Sequence, residues 1–399
     1  MICRVLICRV LLCRVLIIAS LFAGMAPRTA AASQSSQTTA RQSFDQLLQS
    51  AQKAREENHD DEALQLFRSA LRQKPDSEEA LWYLGSMLYE KEQFAEARDV
   101  LRSFLTLRSD AGPGWALLGM SEFQLREYPR ALQHLQHAMT QGMGDRKELM
   151  QSVFYHVAIL LTRLERYDDS MDMLQKMLAS GSSDPTLVEP AGLAGLRLPY
   201  LPAEIPPDQR ELISLAGKAV MALQMQSQEE ADAEFKRLVA AYPNEPGVHF
   251  LRGAYLAELH PEVAMGEFER ELAISPSNAI ARIRLAQQLI TAGEFDRALS
   301  LAQQAIQLDP KRASAHMMAG EALIAKGDAA EGIKELETAR AEDPSIGRVH
   351  WDLLRAYAAS GRKDDAGKEK AEIEKIYHGT SPNHSQSLGD SSRDSQMPQ

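Results

Sequence analysis

The sequence predicts an all-α fold, an α-solenoid of about nine stacked helix–turn–helix repeats, and three observations support this. Prolines recur at Pro243, Pro276, Pro310 and Pro344, at intervals of 33, 34 and 34 residues. Within the intervals the apolar residues follow the i, i+3, i+4, i+7 spacing of amphipathic helices. No segment shows a strong strand pattern. A near-constant period of this length indicates helical hairpins that bury apolar surface against their neighbours.

Each repeat is expected to contain two helices, here called helix A and helix B. In the repeat 279–312, the positions that define the pattern are Leu285, Ala286 and Leu289 on helix A and Ala298, Ala302, Ala305 and Pro310 on helix B. Small residues at the crossing of the two helices allow close approach of their backbones. The closing proline cannot continue helix B.

The same offsets recur over most of residues 44–377, and they resemble those of the tetratricopeptide repeat family. The resemblance implies a right-handed α-solenoid that binds other polypeptides. It also implies that positions 2, 5, 9, 12 and 13 of each helix A line an inner groove. Aromatic side chains and methionines on such a surface suit the apolar side chains of a bound peptide.

Reading those positions gives the candidate peptide-binding residues. They are Trp82, Ser86, Tyr89, Met120, Phe123, Tyr155, Phe250, Ile283, Gln287, Met317, Glu321, Trp351 and Arg355. We expect Trp82, Tyr89, Met120, Phe123 and Tyr155 to be the best set. Partial burial of such residues between repeats is the alternative. The Lys and Asn positions with which one subclass of the family binds a terminal carboxylate are not matched here.

Composition changes divide the chain into segments. The expected organisation is a signal peptide at 1–32, a disordered spacer at 33–43, an N-terminal repeat block at 44–184, a Pro-rich connector at 185–211, a C-terminal block with a capping helix at 212–377 and a disordered tail at 378–399. The connector, with a possible short helix from Leu193 to Leu198, is either a hinge or an irregular packed insert.

The leader carries a tandem pentad followed by an uncharged run from Val15 to Ala26. This run is shorter than the ~20 apolar residues of a membrane span and is typical of a secretory signal. We expect cleavage near Ala32 and a periplasmic or extracellular location. An uncleaved membrane anchor, a misassigned start and a lipoprotein site at Cys13 are the alternatives.

All three cysteines lie in this leader, so the mature chain is expected to hold neither disulfides nor thiolate metal sites. Loss of the leader's four arginines changes the net charge from −11 to −15. This acidity disfavours nucleic acid as a partner and favours basic polypeptides, although solubility alone also explains it. The oligomeric state and the partner's identity are left open.

No common catalytic or nucleotide-binding motif occurs. His134 and His137 are three residues apart on one helix, but no nearby carboxylate completes a metal set, so we interpret them as part of a solvated helix face. The pair Asp168–Asp169 and its counterpart in the last repeat are interpreted as acids at the start of a helix B. We therefore expect no enzyme activity, no cofactor and no metal.

The function predicted from the sequence is a non-enzymatic scaffold or adaptor that binds a polypeptide in its groove. One alternative is an accessory subunit that holds a catalytic partner in envelope biogenesis or secretion. Another is a structural spacer without a saturable ligand. Catalysis by the chain itself would require residues 185–210, which contain neither His nor Cys.

Overall fold

The computed structural model describes residues 42–179, 184–224 and 227–378. Expectations for the leader, for most of the spacer and for the tail therefore lie outside the described residues. The described residues form nineteen α-helices and two short 3₁₀ helices, with no strand. The expected all-α fold of stacked helix pairs is confirmed. The chain divides into two compact units, Met1–Glu234 and Phe235–Gln399, and each is described by itself.

The first unit contains ten helices and the start of an eleventh. They are α1 (Phe44–Glu56), α2 (Asp60–Gln73), α3 (Glu78–Glu90), α4 (Phe94–Leu107), α5 (Gly112–Gln124), α6 (Tyr128–Gln141), α7 (Lys147–Arg163), α8 (Tyr167–Ala179), α9 (Val188–Gly195), α10 (Arg210–Gln224) and α11 (Gln228–Ala241). From α1 to α8, odd-numbered helices are helix A of a repeat and even-numbered ones are helix B. Each helix packs on the next, and α3, α5 and α7 also contact in sequence.

The second unit continues from the end of α11 with four further pairs. They are α12 (Val248–Leu256), α13 (Pro261–Ile274), α14 (Ala279–Thr291), α15 (Phe295–Leu308), α16 (Ala313–Lys326), α17 (Ala329–Glu342), α18 (Gly347–Ala359) and α19 (Lys363–His378). Here α14 contacts α16 and α16 contacts α18, so consecutive A helices adjoin. The repeat between Pro243 and Pro276, where the interval is 33 residues, has a helix A of only nine residues, α12.

Helices A and B cross where the sequence places a small residue. A Cβ atom added to Gly119 would lie 2.7 Å from Cγ of Leu135, and one added to Gly320 would lie 2.7 Å from Cγ of Leu336. Both leucines are buried on helix B. The predicted reason for the Gly or Ala at this position, close backbone approach, is therefore confirmed in these two pairs.

The turn between helices A and B uses one backbone conformation in most of the described repeats. The residue fifteen places into the repeat has a positive φ, as at Glu92 (59°), Arg126 (62°) and Gly327 (97°). Glycine reaches this left-handed region at little cost, whereas other residues are strained there. The chain therefore reverses at the same point in each of these hairpins, whichever residue occupies it.

A buried histidine joins consecutive repeats at three junctions of the second unit. Nε2 of His350 lies 2.9 Å from the carbonyl oxygen of Pro344, and Nδ1 lies 2.6 Å from Oε2 of Glu369. The ring thus connects the end of one repeat to helix B of the next. We call this arrangement the junction clasp. The equivalent clasps pair Pro243, His249 and Glu267, and Pro310, His316 and Glu335.

The Pro-rich segment packs inside the first unit as an irregular insert around α9. This helix covers Val188–Gly195, so it begins and ends earlier than the expected Leu193–Leu198, and Arg197 follows with a φ of 56°. Cβ atoms added to Gly192 and Gly217 would lie 2.0 and 1.9 Å from carbonyl oxygens of the facing helix. Hence α9 and α10 are in backbone contact.

Polar contacts also fix this insert. Arg163 of α7 donates to the carbonyl oxygen of Pro199 at 2.7 Å. Arg197 lies 3.3 Å from a carboxylate oxygen of Asp168, which is one of the acids at the start of α8. Both arginines therefore connect the insert to α7 and α8, the helix pair that precedes it.

Five phenylalanines of the B helices divide into two groups by burial. Phe67, Phe235 and Phe268 are fully buried on helix B. Phe94 and Phe295 are the first residues of their helices and are half-buried. The core lies between helices A and B of each repeat and between neighbouring repeats, as stacking requires.

Candidate functional site

The predicted groove residues all lie on A helices, where they divide by exposure. Tyr89, Met120, Phe250, Ile283 and Met317 are buried, Trp82, Ser86, Phe123, Tyr155, Gln287 and Glu321 are half-buried, and Trp351 and Arg355 are exposed. A helices contact one another from α3 to α7 in the first unit and from α14 to α18 in the second, and the side chains on them form one surface in each unit. We call this surface the A face.

On the A face of the first unit, a methionine links three consecutive repeats. The hydroxyl of Tyr89 on α3 lies 3.7 Å from the sulfur of Met120 on α5. The hydroxyl of Ser152 on α7 lies 3.6 Å from the same sulfur. Sulfur is a weak acceptor, and its polarisable contacts fill irregular space between helices. Tyr89 and Met120 thus serve first as packing residues between repeats.

His156 connects Phe123 and Tyr155, two further members of the predicted set. Its ring meets Phe123 edge-on at 4.9 Å and Tyr155 at 5.7 Å, measured between ring centroids. Burial lowers the pKa of His156, and a hydrogen bond from Nδ1 to the carbonyl oxygen of Ser152, 2.7 Å long, opposes this in part. The ring is therefore neutral near pH 7. Phe123 and Tyr155 keep part of their surface exposed beside it.

Trp82 lies apart from these contacts. Its ring packs on Phe104 of α4 at 5.4 Å and is half-buried. The neighbouring Tyr83 stacks on Phe67 and lies under the guanidinium of Arg55, which is 4.3 Å from the ring centroid. Four members of the predicted set, Tyr89, Met120, Phe123 and Tyr155, are therefore connected through contacts with Ser152 and His156. Trp82 is outside these contacts.

The A face of the second unit combines buried apolar residues with a charged cluster. Phe250 packs against Phe268 at 6.0 Å, and Ile283 and Met317 are nearly fully buried. Trp351 differs, since 46% of its surface is exposed. It lies on α18 between charged residues of the sequence. Its exposed fraction is the largest among the aromatic residues described in this unit, so a partner could contact it.

Three charged residues of α18 lie close to that tryptophan in sequence, and together with Glu321 they form what we call the A-face charge cluster. Arg348 donates to Oε2 of Glu321 at 2.6 Å, and its Nε lies 3.8 Å from Oδ2 of Asp352. Arg355 also donates to Asp352. Glu321 comes from α16 and the other three from α18, so the cluster bridges the last two repeats.

Sequence analysis named Glu321 and Arg355 but missed Arg348 and Asp352. A signal was present, because Arg348, Asp352 and Arg355 follow a spacing of four and three residues and share one helix face. The link from Arg348 to Glu321 spans 27 residues, so only the repeat register could have revealed it.

The two histidines considered as metal ligands lie elsewhere, on α6. Nδ1 of His134 lies 2.6 Å from Oε2 of Glu122, a carboxylate that the sequence interpretation missed because it lies on the facing helix A. The ring of Trp115 packs against both His134 and His137. His134 is thus part of a helix–helix contact and is not on a solvated helix face.

The described residues include no cluster of three potential metal ligands and no helix that is long and apolar enough to span a membrane. Two open cavities of about 440 and 430 Å³ lie at turns between helices, near Lys91 and near Leu259. Neither is lined by a predicted groove residue.

Two stretches of the chain match models of a known protein family. Tetratricopeptide repeat family models match residues 48–115 and 289–348. A curated relative, the general transcriptional corepressor trfA of Dictyostelium discoideum, is 26% identical over 118 residues, which are 30% of this chain and 8% of the relative. The matched region therefore spans a small fraction of that protein's length.

Solved structures of MamA are also similar to this chain. A double mutant of MamA is 20% identical, with 43% of this chain and 96% of that one covered and a TM-score of 0.39. MamA from Desulfovibrio magneticus RS-1, residues 41 to the end, is 22% identical, with 42% and 94% covered and a TM-score of 0.36. Tetratricopeptide repeats are therefore shown at residues 48–115 and 289–348, and both ranges consist of the paired helices described above.

Proposed function

We propose that this chain is a non-enzymatic scaffold that binds a polypeptide partner on the A face. The observation that carries the proposal is the half-buried aromatic surface of α5 and α7, where Phe123 and Tyr155 flank a neutral His156. Rings that are fixed by packing and still partly exposed offer contact area at a low entropic cost. The neutral imidazole adds no charge to this surface.

Two finer hypotheses follow from the sequence. The chain is proposed to act outside the cytoplasm after cleavage near Ala32, or to remain attached to the membrane by an uncleaved leader. Its partner is proposed to be a protein or peptide, including a catalytic subunit that the repeats hold. The acidic composition supports a basic partner. A spacer without a saturable ligand is the competing proposal.

The test compares the full chain as bait with two matched variants in its native extract. One carries Trp82→Ala and Phe123→Ala on A helices, and the control carries Leu107→Ala on α4, where an apolar side chain is also exposed (40%). Circular dichroism checks that all baits are folded. A partner held by wild type and by the control, but not by the A-face variant, supports the proposal.

Equal capture by all three baits would contradict an A-face site and place the interaction on another surface. A saturable binding curve with the captured partner separates a scaffold from a spacer, because a spacer shows no saturation. An enzymatic activity that co-purifies with the captured partner, and is lost with it, would favour the accessory-subunit hypothesis.

A further inference from the structure

The A-face charge cluster contains two carboxyl groups that face one another across a repeat junction. The side chain of Asp352 is 4% exposed and that of Glu321 is 11% exposed. One oxygen of each, Oε1 of Glu321 and Oδ2 of Asp352, is buried without a protein donor. The guanidinium of Arg348 contacts both carboxyl groups, at 2.6 Å from Oε2 of Glu321 and at 3.8 Å from Oδ2 of Asp352, so the two groups meet at one point between α16 and α18.

Two ionised carboxylates cannot form a hydrogen bond with each other, because neither carries a proton to donate. A hydrogen bond at this contact requires that one group is protonated and donates to the other. Such a proton also satisfies both buried oxygens at once, and an unsatisfied buried acceptor would otherwise be costly. The geometry is that of a carboxyl dyad, in which like charges in contact cannot both ionise readily.

We propose that Glu321 and Asp352 share one proton that links α16 to α18, and that its loss at higher pH adds a negative charge to the A face of the last two repeats. The inference does not depend on the proposed partner, since proton sharing is a property of the chain alone.

The charges around Glu321 act in opposite directions. Burial, and then the neighbouring charge of Asp352, raise the pKa of Glu321 to about 7, while Arg348 lowers it. Two acids on other helices that pack on α16 have partners of their own: Glu335 of α17 contacts His316, and Asp296 of α15 contacts Lys326. The shared proton therefore depends on α18.

The proton on the dyad makes the stability of the fold depend on pH. The folded chain retains a proton on the dyad between the ordinary pKa of glutamate and about pH 7, whereas the unfolded chain has lost it. Stability from this source therefore falls as the pH rises through that window and is constant above it. The proton belongs to the pair, so either carboxyl can be used to observe it.

The test is carbon NMR of the full chain with its glutamate carboxyl carbons labelled, titrated from about pH 5 to about pH 8.5 to bracket the ordinary range of glutamate. We expect one resonance with a midpoint near pH 7 in wild type. It should be absent in Glu321→Gln and retained in the control Glu331→Gln, a residue of α17 whose side chain is 64% exposed and pairs with Lys334.

Two further variants separate proton sharing from simple burial. Asp352→Asn removes the like charge and supplies an amide donor, so the midpoint should fall by about one unit or more. Arg348→Gln removes a cation and should raise it. The proposal is overturned if no resonance that disappears in Glu321→Gln titrates above about pH 6, or if Asp352→Asn leaves the midpoint unchanged.

Discussion

Replacing Gly217 by alanine should separate α9 from α10. The new Cβ would lie 1.9 Å from the carbonyl oxygen of Val188 and 2.8 Å from its carbon, both backbone atoms that cannot rotate away. An ordinary distance of ~3.4 Å between the new Cβ and the carbonyl oxygen is reached only if the two helices move apart by ~1.5 Å. A closely packed interior does not accommodate such a shift without loss of stability.

Overpacking of this kind costs about 1–3 kcal/mol, and the required shift places Gly217→Ala at the upper end. Alanine recovers about 1 kcal/mol through its higher helix propensity. The net loss should therefore be about 2 kcal/mol. It should appear as a lower denaturation midpoint of the full chain and as faster amide exchange in α9 and α10.

Gly266→Ala is the matched control, because that glycine is inside α13 and a Cβ there meets nothing within 4 Å. It should be neutral or stabilising by about 0.5–1 kcal/mol. A Gly217→Ala chain that is as stable as wild type, with unchanged exchange in α9, would refute the close backbone contact and with it the packed state of the Pro-rich segment.

Other perturbations probe the clasp, the turn and the aromatic set. His350→Ala should cost about 3 kcal/mol in thermal or urea denaturation, since it leaves Glu369 buried with only Arg340 as a partner; an unchanged midpoint would mean that the clasp contributes nothing. Glu92→Gly should raise stability by a few tenths to about 1 kcal/mol by relieving the positive φ, and a loss would show that this turn is not strained. Because the folded pKa of His156 is lowered, its neutral form stabilises the chain at neutral pH, and that stability should fall as the pH drops below about 6.5; His156→Phe should reduce this acid sensitivity, and an identical pH profile would contradict it.

The repeat period was sufficient to predict the helix pairs because each repeat satisfies its own pattern. Prolines, small residues at the helix crossing and amphipathic spacing all act within about 34 residues. The helix α9 was harder to place, since several prolines nearby hide its boundaries and its contacts depend on Gly217 beyond the loop. Only the assembled fold shows that this segment is packed.

The candidate site was predicted in its positions but not in its chemistry. Helix A offsets identified Glu321, whereas its ion pair with Arg348 joins two repeats and has no short-range sequence signal. The junction clasp was also missed, although a histidine six residues after a closing proline occurs three times. Sequence reasoning treated each repeat separately, and both features belong to the boundary between repeats.

The junction clasp also makes the second unit divisible into equivalent cassettes. Removing residues 313–346, which are 34 residues, would bring His350 to the sixth place after Pro310, the spacing of the native clasp. Its carboxylate partner, Glu369, would keep its distance along the chain. Whole repeats can thus be gained or lost by unequal recombination during evolution, because each new junction again has its proline, histidine and glutamate. The same deletion or insertion can be used to engineer a shorter or longer chain.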